Sequence, residues 1–186
     1  MKLRTLILSA ALLSVTVQAE TPTIKQEGIG YIKMLGGTLK SELQAKMKED
    51  PTGIAAATFC KENADNITKE VNTKLPEYAS VRRTALKIRN TDNKADATDE
   101  KVMNAYVAAI KAKKYDPKEA IKVVEEGDTT RVYKPLFVQK ACLKCHGTTV
   151  SPEISTLIKK GYPDDKAIDF EEGTFRGVIV AEIKKH

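Results

Sequence analysis

The chain has 186 residues, 41% hydrophobic and 30% charged, with 31 Lys and Arg against 25 Asp and Glu, two His, three Cys and no Trp. That length holds one ordinary domain or two very small ones and excludes a many-domain machine. A formal charge of +6 with no long basic block argues against a nucleic-acid binder, and the charged fraction argues against a membrane-embedded fold.

Residues 1–19 read as a signal peptide. Met1-Lys2-Leu3-Arg4-Thr5 is a positive n-region, Leu6 to Val17 is apolar, and Val17-Gln18-Ala19 offers short side chains at a cleavage site. The apolar run falls short of the roughly 20 residues that span a bilayer, and no later stretch approaches that length. Cleavage after Ala19 places the mature chain in the periplasm or an equivalent exported compartment. It leaves 29 basic against 25 acidic side chains, a formal +4. In an oxidising compartment an odd number of thiols demands a use other than complete disulfide pairing.

Residues 20–50 predict an N-terminal helical segment. From Gly28 to Lys48 the residues Ile32, Leu35, Leu39, Leu43 and Met47 recur at spacings of three and four, with Gly36-Gly37 as a weak point. Residues 51–186 form the main domain. Pro51 suits the first turn of a second helix, in which Cys60, Ala64, Ile67 and Val71 share one face until Pro76. Val81 to Ile88 changes period and predicts a strand, followed by the polar loop Asn90 to Ala97. A third helix carries Val102, Met103, Tyr106, Val107 and Ile110 on one face and Asp99 and Glu100 in its first turn. Ile121–Val124 and Thr130–Tyr133 flank a Gly127-Asp128 turn as a hairpin, and Phe175 to Ile183 is a last strand. Helices and strands mix without regular alternation, the mark of an α+β fold.

Cys142-Leu143-Lys144-Cys145-His146 is C-x-x-C-H, the attachment signature of haem c. Two thiols bond to the macrocycle's vinyl groups, and the next residue brings an imidazole to the iron. A thioredoxin-like pair has no use for His146 and belongs early in a βαβ unit. Zinc would need two more ligands, with only Cys60 and His186 on offer. A structural disulfide would leave the histidine unexplained.

One motif means one haem, and its second axial ligand is the open question. His186 is the last residue, where fraying is the default. Met34, Met47 and Met103 are thioether candidates, but each lies on or beside a helical apolar stripe and reads first as core. Cys60 reads equally as a small buried hydrophobe or as a ligand.

Several segments together resemble a family of small exported c-type haem domains with a PAS-like fold, typified by a cyanobacterial cytochrome with His/Cys axial ligands. They are Gly53 to Cys60, Val81 to Asn90 with Asn93, Tyr133-Lys134-Pro135-Leu136 before Cys142 to Gly147, Tyr162 to Ala167, and Gly173 to Gly177. The family commonly has Ser where Ala85 stands and Pro near Ala95, and often a bulky residue ahead of the acid matched by Glu100. The resemblance implies a PAS-like antiparallel sheet with flanking helices around one covalently bound haem c. It also implies Cys60 as distal iron ligand opposite His146.

Arg82, Arg83 and Arg89 are candidate partners of the haem propionates, since guanidinium forks suit carboxylates. The alternative is an exposed charged strand face, and adjacent Arg82 and Arg83 must point to opposite sides of a strand. Tyr133 and Lys134 are placed to border the pocket. The expected function is one-electron transfer with a redox partner protein or membrane-bound component. The competing function is a redox or gas sensor signalling to a separate membrane partner. Peroxidase-like catalysis would need an acid–base residue on an open distal face, which a chain with two histidines hardly supplies.

Overall fold

The computed structural model describes residues 22–185, so the predicted signal peptide and His186 lie outside the described residues. Helix α1 (Ile24–Glu49) begins four residues before the predicted start. Thr23 and Gln26 form a reciprocal capping box that satisfies orphan backbone donors there. Its first half lies on the sheet so closely that a Cβ at Gly28 would stand 2.6 Å from Val132 Cγ2, and one at Gly36 2.9 Å from Ile179 Cδ1. Those glycines are packing residues, whereas Gly30 and Gly37 of the same helix face open space.

Helix α2 (Ile54–Asn72) begins after a turn that holds Pro51, rather than with Pro51 inside it as the sequence predicts. The Asp50 carboxylate accepts the backbone N–H groups of Thr52 and Ala55, and Gly53 takes the left-handed φ of 94° that turns the chain into the helix. At the other end the Asn72 amide accepts from Val81 N and donates to Val81 O, both at 2.8 Å. That bond pair fixes α2 to strand β1 (Ala79–Thr84).

Strand β1 stops four residues before the predicted Ile88. Thr84 Oγ1 donates to Asn93 O at 3.0 Å, drawing the loop 90–96 across the strand end and leaving Leu86 exposed. Helix α3 (Ala97–Lys111) follows, with Asp96 and Asp99 as its capping box. The hairpin forms as predicted from β2 (Lys122–Glu126) and β3 (Thr129–Phe137), with Gly127 at φ 64°, although β3 runs four residues beyond Tyr133. Short helix α4 (Leu143–His146) carries the last four residues of the C-x-x-C-H motif, with Cys142 as its N-cap. Helix α5 (Pro152–Gly161), which the sequence reading did not single out, starts at a Ser151 N-cap with Pro152 in its first turn. Strand β4 (Phe175–Lys184) closes the order.

The four strands form one antiparallel sheet in the order β1-β4-β3-β2. Alternation sends Val81, Val132, Ile179 and Ala181 to one face, where Ile32 and Leu35 of α1 and Val71 of α2 cover them. Tyr133, Val178 and Val180 go to the other face, under Val102, Met103 and Tyr106 of α3. The result is an α+β fold with helices on both sides of an antiparallel sheet, consistent with a PAS-like architecture. No described helix is long and apolar enough to cross a membrane.

Candidate functional site

Where β1 ends and β3 leaves the sheet, α1 and α2 on the first face border a partly open cavity of about 430 Å³. That size lies within the range of small-molecule and cofactor sites. Cys60 enters from α2, Cys142, Cys145 and His146 from α4 and the turn before it, and Leu39, Leu43 and Met47 from the second half of α1. The structure thus brings both motif thiols, the motif histidine and the distant third thiol to one space. None of the three cysteines is paired in a disulfide.

His146 is held by a strap that runs alongside it. Its Nδ1 lies 2.7 Å from Ala167 O, and a carbonyl only accepts, so Nδ1 carries the proton and Nε2 keeps the lone pair a metal would use. Phe170 N donates to His146 O at 2.9 Å, and the Phe170 ring meets the imidazole edge-on at 6.3 Å. Burial first, then the charges of Arg89 and Arg176, push the imidazole down to about 3, so it is neutral at any ordinary pH. Burial raises the Cys60 thiol and the neighbouring Cys145 adds to that, while Arg83 and Arg89 pull it back toward the thiolate.

The three candidate arginines separate. Arg82 lies on the α3 face, 2.8 Å from the buried Asp99 carboxylate and 2.8 Å from Glu182, and does not line the cavity. As a propionate partner it is therefore corrected: its fork is spent on two carboxylates across the sheet. Arg89 lines the cavity but is also engaged. It donates from Nε to Asp165 at 3.0 Å, and from Nη2 to Cys145 O at 2.6 Å and Ala167 O at 3.3 Å. It clamps the motif to the strap.

Arg83 lines the cavity with a loose ion pair to Asp65 at 3.6 Å and a buried Nε that has no hydrogen-bond partner. Arg176, which the sequence reading passed over as a propionate partner, lines it too; among the described residues its hydrogen bond runs from Nη1 to Lys87 O at 3.0 Å. An arginine isolated between Gly173 and the apolar run from Val178 to Ala181 was the available signal. Of the described methionines, Met103 is fully buried on the sheet-facing side of α3, Met34 is exposed, and Met47 borders the cavity. Tyr133 is buried in the α3 core with its hydroxyl donating to Asp99 at 3.0 Å, away from the cavity, because it alternates with the residues that face α1.

The residues fit a haem on grounds of their own chemistry. Two thiols, a neutral histidine with a free Nε2, a third sulfur and a buried guanidinium nitrogen without a partner share one largely apolar space. Among the described residues no group of three or more His, Cys, Asp or Glu side chains comes together as a metal-ion cage.

The family model described as Tll0287-like matches residues 10–183. A crystal structure described as that of the cyanobacterial heme-protein Tll0287 is similar in fold, with a TM-score of 0.57 and 21% identity over 81% of this chain and 93% of that one. No curated protein matches.

Proposed function

The chain belongs to the Tll0287-like family, and on that footing we propose that it is an exported monohaem c-type cytochrome, a one-electron carrier rather than an enzyme. What supports the reading is that Cys60 and His146 line the same cavity as Cys142 and Cys145. Cys142 and Cys145 are the covalent anchors. His146 is the proximal ligand, oriented by Ala167 O, and Cys60 is the distal one. Haem bound by this set supplies a ferric/ferrous couple that a thiolate draws toward the ferric side, below the potential of His/Met ligation. Cys60 must give up its proton to bind metal, and Arg83 and Arg89 favour the anion it becomes. Apolar side chains from α1, α2 and α5 line the same cavity as the cysteines.

The test is Cys60→Ala beside Met47→Leu in the haem-loaded protein. Cys60→Ala should abolish the thiolate signature in ferric absorption and EPR spectra, while Met47→Leu leaves it intact. Unchanged spectra in Cys60→Ala would remove Cys60 from the iron.

A second reading, a redox or gas sensor, is favoured by one observation. The cavity's cover, the half of α1 beyond Gly37, contains no fully buried residue. A sensor would lose Cys60 on reduction, bind CO and alter that cover. A carrier would stay low-spin and six-coordinate and exchange electrons rapidly with its partner protein in stopped-flow mixing.

A further inference from the structure

The charged residues lining the cavity are Lys40, Lys61, Arg83, Arg89, Arg176 and Asp65, five cations to one carboxylate. The one carboxylate is already shared, since Asp65 accepts from Asn90 Nδ2 at 2.5 Å and stands 3.6 Å from Arg83. Arg89 has its own anion in Asp165. Arg83 and Arg176 are the remaining guanidinium groups: Arg83 has only its loose pair with the shared Asp65, and Arg176 has no carboxylate partner among the described residues. Arg83 Nε is buried and unpartnered, whereas the other buried unpartnered nitrogen, Arg131 Nε, at least faces the Glu182 carboxylate at 3.9 Å. Arg176 makes no ion pair among the described residues and lies over the Phe170 ring at 5.2 Å. Burying part of a guanidinium away from water without a full complement of anions is unfavourable. Burial first, then Arg89, pushes Arg176 down to about 10, and burial lowers Arg83 as well. Two such groups on neighbouring strands, open to one cavity, form an incomplete site for two carboxylates.

We propose that Arg83 and Arg176 together bind the two propionates of the haem, and that Arg89 is a positioning residue with no propionate contact. The assignment rests on the cytochrome reading above. It adds a residue that sits on the proximal side, because Arg176 stacks on Phe170 and Phe170 abuts His146. A propionate held by Arg176 thereby ties one edge of the macrocycle to the strap that orients the imidazole.

The experiment uses the haem-loaded protein with Arg83→Gln, Arg176→Gln, the double variant and Arg176→Lys. Resonance Raman spectra read the propionate bending modes, and redox titrations from acid to alkaline pH read the propionate pKa values through the midpoint potential. A cation at ion-pair distance lowers a carboxyl pKa by about one to three units. Each Gln variant should raise one propionate pKa by at least about one unit, a tenfold gain in proton affinity. Each should also shift one bending mode and lower the midpoint potential. The double variant should move both modes, and Arg176→Lys should keep the pKa near its original value while losing the mode of a bidentate fork. Should the Gln variants fail to fold, the wild type alone decides: its two propionates should stay ionised at pH values where a solvated carboxylate takes up its proton. Unchanged modes and an unchanged pH profile with haem covalently attached would overturn the arginine assignment alone. A wild-type protein without covalent haem would overturn the cytochrome reading itself.

Discussion

At the scale of single residues, the Arg89 guanidinium joins two separate pieces of chain: the motif at Cys145 and the strap, at Asp165 and Ala167. The side chains of Arg89 and Asp165 are 14% and 6% exposed, so removing one leaves the other charged and buried. Arg89→Leu should therefore lower the unfolding free energy by about 3 kcal/mol, with Arg89→Leu/Asp165→Leu recovering much of the loss, as denaturant titration of the haem-loaded protein would read it. A loss below about 1 kcal/mol would mean that solvent shares the pair, as at a surface ion pair. The motif Cys142 to His146 was fully legible in the sequence because its chemistry is local. The sorting of three arginines was not legible, because it depends on which carboxylates the fold brings near: Asp99 and Glu182 lie 17 and 100 residues from Arg82, and Asp165 lies 76 from Arg89.

Elements follow from periodicity wherever one face is buried, and fail where tertiary contacts decide the ends. Ile32 and Leu35 announced α1, but its start depended on the Thr23–Gln26 box, and the end of β1 on a bond from Thr84 to a loop nine residues on. Gly36-Gly37 looked like a weakness because propensity counts glycine alone, while its value at Gly28 and Gly36 is the approach of helix to sheet. That distinction is measurable. Gly28→Ala should destabilise by about 1–3 kcal/mol through overpacking against Val132. Gly37→Ala, with nothing near its Cβ, should stabilise by up to about 1 kcal/mol. Equal effects in thermal melts would contradict the packing. Helix α3 carries a pH-dependent cap. Burial raises the Asp96 carboxyl, but the Asp99 backbone N–H and Arg131 outweigh it and hold the group below its usual value. A depressed folded pKa means the stabilisation is complete above the ordinary carboxylate pKa and vanishes as pH falls through the depressed one. Asp96→Ala should thus cost about 1 kcal/mol at neutral pH. The gap between variant and wild-type unfolding curves should close in acid; a gap that persists there would show that the carboxylate charge is not what caps the helix.

For the whole molecule, the fold class was readable from the irregular mixture of elements, but the strand order was not, since no local pattern says that the last strand lies second in the sheet. β4 sits between β1 and β3, and Val81 pairs with Ala181 across nearly the entire length of the domain. Contacts of such sequence separation form late and slowly. Until residues 175–184 arrive, β1 has no neighbour in the sheet, and the cavity lacks Arg176, Val178 and the rest of the wall that β4 supplies. The motif at 142–146 is made well before that wall. Its two thiols are therefore present in the chain before the cavity around them can be completed. Strand order in this protein thus sets when its cavity is completed.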